Sequence, residues 1–173
     1  MINMKIETLI SQEEVEKKIS ELAEQINKDY AGKELYLICI LKGSVFFTCQ
    51  LAQKLTMPVK IDFMSISSYG NDTVSSRKVT IKKDLEEDIA GKDVLIIEDI
   101  IDTGLTMNCL KKLLFERKPA SMKVCALLNK SSRSLVELNV EYMGFEIPDK
   151  FVIGYGMDYA QNYRNLPYIG GME

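Results

Sequence analysis

The 173-residue sequence contains no histidine. That absence removes Ser-His-Asp and Cys-His nucleophilic catalysis and every zinc or iron site that needs imidazole. Proton transfer near neutral pH then falls to a tuned Asp, Glu, Lys, Tyr or Cys. Any metal is expected to be a hard ion held by oxygens, magnesium first. The chain also lacks an apolar run approaching the ~18 residues of a membrane span. Its opening, MINMKIETLISQEEVEKK, has no basic segment followed by an apolar one, so no secretory leader is expected and the cytoplasm is the expected location. Nor is there a basic surplus: 22 Lys and Arg stand against 25 Asp and Glu, interspersed, for a net charge of -3. This balance argues against nucleic acid as a partner. Cys39, Cys49, Cys109 and Cys125 form no C-x-x-C pair, and each lies among apolar neighbours, so all four are expected as small buried hydrophobes.

What is present describes a globular α/β chain. An apolar fraction of 46% against 27% charged, over this length, suits one domain with a real core. Residues 11–30 predict an amphipathic helix, with Ser11 and Glu14 spaced as a capping box, Val15, Ile19, Leu22 and Ile26 at helical intervals, and Gly32 placed to end it. LYLICIL, residues 35–41, is a continuous apolar run of the kind that suits a strand covered on both faces. Gly43-Ser44 breaks it, and SVFFTCQLAQKL then predicts a helix. Pro58 opens a second strand, VKIDFMSIS. The polar stretch SSYGNDTVSSRK predicts a loop between two extended segments. Gly91-Lys92-Asp93 turns into the strand VLIIE, followed by a helix over 104–117 stopped by Pro119 and by the strand MKVCALL. The last third, with its tyrosines and with Pro148, Gly154 and Gly156, predicts short strands and loops forming a hood. The fold class expected is α/β: a central, mostly parallel sheet flanked by helices.

The segment VLIIEDIIDTGLTM, residues 94–107, carries the chemistry. An apolar strand ends in Glu98 and Asp99, a short loop adds Asp102, and Thr103-Gly104-Leu105-Thr106 opens a helix. Helix N-termini offer unpaired N–H groups and a positive dipole end, which favour a bound phosphate. Gly104 permits close approach, and the hydroxyls of Thr103 and Thr106 add donors. Carboxylates at the carboxyl end of a parallel strand sit where open α/β sheets bind ligands, and can accept from ribose hydroxyls or hold magnesium. Together they describe a site for a phosphorylated sugar. Neither a Walker A loop nor a G-x-G-x-x-G fingerprint is present.

This segment resembles the PRPP (5-phosphoribosyl-1-pyrophosphate) motif of the type I purine phosphoribosyltransferases, and EDIIDTGLT resembles the hypoxanthine(-guanine) branch. Adenine and orotate enzymes usually carry a small residue where Asp102 stands. The resemblance runs from about residue 35 to 170. LKGS, residues 41–44, is similar to the family's pyrophosphate loop, implying that Lys42 and Gly43 meet pyrophosphate across an often cis Leu-Lys bond. Ser68-Tyr69 resembles the start of the catalytic lid. Lys130 in LLNKSSRS matches the lysine that donates to the purine O6, a donor suited to a 6-oxo group and not to adenine's 6-amino group. DKFVIGYGMDYAQNYRNLPYIG, residues 149–170, implies Phe151 stacking on the purine, the Val152 backbone at the base edge, Asp158 toward magnesium and the base, and Arg164 toward pyrophosphate. Where some members have lysine this chain has Leu105, a position that serves through its backbone N–H.

The resemblance further implies one phosphoribosyltransferase domain over residues 1–173, its core at about 30–140 and a small hood from the N-terminal segment and about 145–173. It implies transfer of phosphoribose from PRPP to hypoxanthine or guanine, with Mg2+ held by Glu98, Asp99 and Asp158, Asp102 as general base, and a homodimer or homotetramer. Three other readings compete. A xanthine-guanine enzyme is the nearest. A PRPP-fold regulator of nucleic acid would need a basic face or an added helix-turn-helix. A phosphoacceptor receiver would need an early acidic strand end, where this chain has Leu-Lys-Gly-Ser.

Overall fold

The computed structural model describes residues 5–69 and 78–172. Nine strands and three α-helices alternate along the described chain: β1 (Ile6–Ile10), α1 (Gln12–Asp29), β2 (Leu35–Ile40), α2 (Val45–Ala52), β3 (Val59–Tyr69), β4 (Lys78–Lys83), β5 (Asp93–Ile101), α3 (Leu105–Phe115), β6 (Ser121–Asn129), β7 (Tyr142–Glu146), β8 (Phe151–Ile153) and β9 (Ile169–Met172). Six strands form the main sheet in the order β4-β3-β2-β5-β6-β7. The ladders β2–β3, β2–β5, β5–β6 and β6–β7 are parallel; only β4 runs antiparallel, against β3. This is the α/β class that the sequence predicts.

The continuous apolar runs are explained by burial on both faces. All six residues of β2 are buried. Side chains alternate across a strand, so Leu35, Leu37, Leu95 and Ile97 enter the core shared with α1 and α2, while Tyr36, Ile38, Val94 and Ile96 enter the core beneath α3. Helix α1 carries the capping box, Ser11 Oγ accepting from Glu14 N and Glu14 returning to Ser11 N. It buries Val15, Ile19, Leu22, Ala23 and Ile26.

Several elements differ from expectation. Strand β5 continues past the two acids to Ile101, because Ile100 and Ile101 keep pairing with Leu128 and Asn129 of β6. Helix α2 stops at Ala52, short of the predicted end. Tyr142–Glu146 is not part of a hood: it pairs with β6 as the edge strand of the main sheet. The separate small sheet has the order β1-β9-β8, all antiparallel. Cys39 and Cys125 are buried as expected, but Cys109 is only partly covered and Cys49 is exposed on the outer side of α2. Of the polar stretch 67–78, Ser67 to Tyr69 belong to β3 and Lys78 starts β4; the predicted loop between them lies outside the described residues.

Candidate active site

Among the parallel strands, chain order reverses between β2 and β5: β3 lies on one side and β6, then β7, on the other. Ligands of open α/β sheets bind at such a switch point, beyond the carboxyl ends of the strands. Here those ends deliver the Leu41–Ser44 loop and the Asp102–Gly104 loop. The Leu41–Lys42 peptide is cis. Ser44, fully buried, donates from Oγ to the Ile40 carbonyl at 2.6 Å and fixes the start of α2.

Two clefts open at this edge. The first, about 340 Å³, is lined by Glu98, Asp99, Ile100, Ile101, Asp102, Thr103, Gly104, Thr106, Met107 and Arg133. Gly104 caps α3 with φ +80°, a left-handed conformation that costs other residues about 1–2 kcal/mol. It turns the first amides of α3 toward the cleft, where none has an intrahelical partner. Thr106 lines the cleft, while the Leu105 side chain is 3% exposed and anchored in the core. Leu105 does not line this cleft, and its N–H donates to the Thr103 hydroxyl at 3.4 Å.

Glu98 is enclosed enough that burial, and then the neighbouring Asp99 charge, push its carboxyl well above the usual range. The second cleft, about 250 Å³, shares Asp99, Ile100 and Asp102 with the first and adds Lys130, Phe151, Val152, Met157 and Asp158. Lys130 is 8% exposed, its Nζ 3.7 Å from Asp149 Oδ1. Phe151 lines this cleft, is 52% exposed, and stands perpendicular to the Tyr159 ring at 5.9 Å between centroids.

The remaining predicted residues occupy the rim. A Cβ on Gly43 would lie 1.8 Å from Asp99 Oδ2, so the loop after β2 and the acids of β5 meet at a glycine. Lys42 is exposed and donates to Gln161 Oε1 at 3.1 Å. Arg164 donates to the Gly156 carbonyl at 2.7 Å and pairs with Asp158 at 3.0 Å. Asp158 also accepts from Gln161 N at 2.7 Å. Among the described residues no cluster of three or more carboxylate or thiol side chains is arranged to hold a metal alone. Tyr155, Ala160, Gln161 and Tyr163 all have positive φ between 49° and 73°. Such strained non-glycine residues concentrate at functional loops. Ser68 and Tyr69 lie at the far end of the β3–β4 ribbon, paired with Val79 and Lys78, and Ser68 lines neither cleft.

Sequence reasoning did not single out Arg133, Asp149 or Gln161. Arg133 Nε lies 2.6 Å from Asp102 Oδ1, and its Nη1 lies 3.3 Å from Asp149 Oδ2. The only available signal was a lone arginine after Lys130 in KSSRS.

The Gly43 contact yields a test. In Gly43→Ala the new methyl group forces Asp99 to rotate or the loop to retreat. The expected result is a loss of roughly 10- to 100-fold in kcat/KM with little change in melting temperature. Steady-state kinetics beside a thermal melt check it, and an unimpaired variant would mean that the contact does not shape the site.

Residues 6–160 match the phosphoribosyl transferase domain family. At 48% identity over 167 residues, covering 95% of this chain and 94% of the relative, the sequence is similar to the hypoxanthine phosphoribosyltransferase of Salmonella typhimurium. It is 45% identical to the hypoxanthine-guanine phosphoribosyltransferase of Mycobacterium bovis, over 95% of this chain and 85% of that one. The crystal structure of a hypoxanthine-guanine phosphoribosyltransferase from Bacillus anthracis, with a HEPES molecule in its active site, superposes with a TM-score of 0.93 at 45% identity, covering 99% of both chains. The chain belongs to the hypoxanthine and hypoxanthine-guanine phosphoribosyltransferase family.

Proposed function

We propose that this chain transfers the 5-phosphoribosyl group of PRPP to hypoxanthine, and to guanine, releasing pyrophosphate and forming IMP or GMP in purine salvage. One observation carries the reading: a phosphate-type cleft and a cleft holding Lys130 and Phe151 meet at Asp99, Ile100 and Asp102. Phosphate and base then lie on opposite sides of the point where the sugar carbon must react.

Each residue acquires a role. The amides of Gly104, Leu105 and Thr106, with the Thr103 and Thr106 hydroxyls, receive the 5′-phosphate. Glu98 and Asp99 accept from the ribose hydroxyls. Lys42, the Gly43 backbone and Arg164 face pyrophosphate, and Ser68-Tyr69 belongs to the lid. Phe151 stacks on the purine, Val152 and Asp158 meet its edge, and Lys130 donates to O6. A purine nitrogen displaces pyrophosphate at the sugar C1 through an oxocarbenium-like transition state, so positioning and charge stabilisation carry most of the catalysis. Asp102 takes the N7 proton.

The donor set suits Mg2+: the chain has no histidine, and Glu98 and Asp99 are adjacent carboxylates whose mutual repulsion a cation relieves. Magnesium is commonly held by one or two carboxylates plus substrate phosphates, which fits a site without a closed protein cage. Glu98 and Asp99 would hold it on the protein side, with Asp158, expected as a third ligand from the sequence, kept on Arg164 and Gln161, and when bound it would neutralise the departing pyrophosphate.

Among the described residues no helix is long and apolar enough to cross a membrane, and the cytoplasm is the location assigned. Assembly as a homodimer or homotetramer is supported by an apolar groove of about 490 Å³ between α2 and the 165–167 turn, where Phe46 is exposed.

The test is direct. Protein, Mg2+ and PRPP are incubated separately with hypoxanthine, guanine, xanthine or adenine, and the nucleotide is followed by chromatography. Hypoxanthine and guanine should be converted, adenine should not, and chelation by EDTA should stop the reaction. PRPP binding without conversion of any base would overturn the proposal in favour of a non-catalytic PRPP sensor.

A further inference from the structure

Four charged side chains of alternating sign cross the floor between the two clefts. Asp102 Oδ1 lies 2.6 Å from Arg133 Nε. Arg133 Nη1 lies 3.4 and 3.3 Å from the two oxygens of Asp149, and Asp149 Oδ1 lies 3.7 Å from Lys130 Nζ. The ends of this chain are the group assigned to the purine N7 proton and the group assigned to the purine O6. The backbone sets the same registration: Lys130 N donates to the Ile101 carbonyl at 2.9 Å, and Leu135 N to the Thr103 carbonyl at 3.0 Å. The 130–135 turn is therefore braced against the loop that carries Asp102.

Stability does not account for Arg133. Its side chain is 44% exposed and that of Asp102 is 46% exposed. Ion pairs so open to water contribute at most about 1 kcal/mol. Geometry does account for it. A carboxylate on a single-bonded stem rotates freely; Asp102 Oδ1 is shielded from water and makes no hydrogen bond, so the guanidinium charge 2.6 Å away is what holds that oxygen in place, leaving Oδ2 as the proton acceptor. Only arginine can do this and reach a second carboxylate, because its planar fork presents donors in several directions. Asp149, held by the same fork, sets the position of the Lys130 ammonium.

We infer that Arg133, acting together with Asp149, is a positioning residue that holds the proton acceptor and the O6 donor at a fixed separation, so that both ends of a 6-oxopurine are met at once. The inference rests on the phosphoribosyl transfer proposed above, with Asp102 as base.

A double-mutant cycle tests it. In the wild-type background, Arg133→Ala should lower kcat with hypoxanthine by roughly 10- to 100-fold while KM for PRPP stays within about twofold. Arg133→Lys should recover little, because an ammonium cannot bridge both carboxylates, whereas millimolar guanidinium should restore part of the Arg133→Ala rate and equal sodium chloride should not. In the Asp102→Asn background the same alanine substitution should cost no more than about twofold, since a residue acting through Asp102 has nothing left to position. An undiminished loss in that background, or a defect confined to KM for PRPP, would make Arg133 an independent contact to the substrate anion and overturn the inference. Arg133→Gln, nearer in size, takes the place of the alanine variant if a thermal melt shows the latter to be unfolded. The underlying reading fails separately: wild-type protein that converts no purine, or an unimpaired Asp102→Asn, removes the reaction itself, while an impaired Asp102→Asn beside an unimpaired Arg133→Ala removes only the role of Arg133.

Discussion

Asp102→Asn is expected to lower turnover with hypoxanthine by about 10²–10⁴-fold, the usual contribution of a positioned general base. Asparagine keeps the shape of the side chain but loses its charge, and with it both the ability to take a proton and the ion pair with Arg133. PRPP affinity should change by no more than about threefold, because amides at the start of a helix and threonine hydroxyls supply the phosphate contacts. Asp102 stands at the junction of the two clefts and not within that cradle. Single-turnover kinetics measure the first quantity. Calorimetric titration measures the second, which suits a chain without tryptophan. Near-normal turnover would take the general-base role away from Asp102, and a parallel collapse of PRPP binding would make it a ligand contact instead.

Lys130→Ala has the second largest expected effect. Lys130 directly follows β6 and is nearly buried, so its ammonium replaces solvent at the purine edge. Without it the 6-oxo group enters the cleft with its acceptor unpaired. Leaving one partner of a charge-assisted hydrogen bond unsatisfied costs about 1–3 kcal/mol or more, a loss of roughly 10- to 100-fold in kcat/KM for hypoxanthine. Discrimination against adenine should fall with it, because a donor-only side chain is what rejects a 6-amino group. Specificity constants for both bases decide the matter. The fold should persist, since the longest-range ion pair of Lys130, to Asp149, spans 3.7 Å. A variant with an unchanged preference would place base selection elsewhere.

The parts of this molecule that could be read from sequence are those whose cause is local. Ser11 and Glu14 announce the start of α1 because a capping box is completed within four residues. The runs in β2, β5 and β6 are legible because a strand covered on both faces has no polar phase. The acids and threonines of residues 98–106 are legible because one loop brings them together. Features decided by neighbours distant in sequence were not. Tyr142–Glu146 looks like any short turn-flanked segment, and only its ladder with β6 makes it part of the main sheet. Cys49 belongs to a short helix whose apolar residues fall on every side and whose Thr48 is buried, so nothing in the sequence marks its exposed side. The Arg133–Asp102 pair joins residues from two different strand ends, and no periodicity or spacing encodes the Leu135–Thr103 backbone bond that brings those ends together.

The order of the small sheet carries a consequence for synthesis. Its central strand is β9, and among the described residues β1 and β8 each pair only with it. During translation the first strand made and the one bearing Phe151 and Val152 both wait for the last described strand to emerge. Domains generally fold as units, and here the strand that joins the two edges of the small sheet is made after the parallel sheet and its phosphate loop. The small sheet that carries Phe151 and Val152 can therefore close only once β9 is available to slot between its partners.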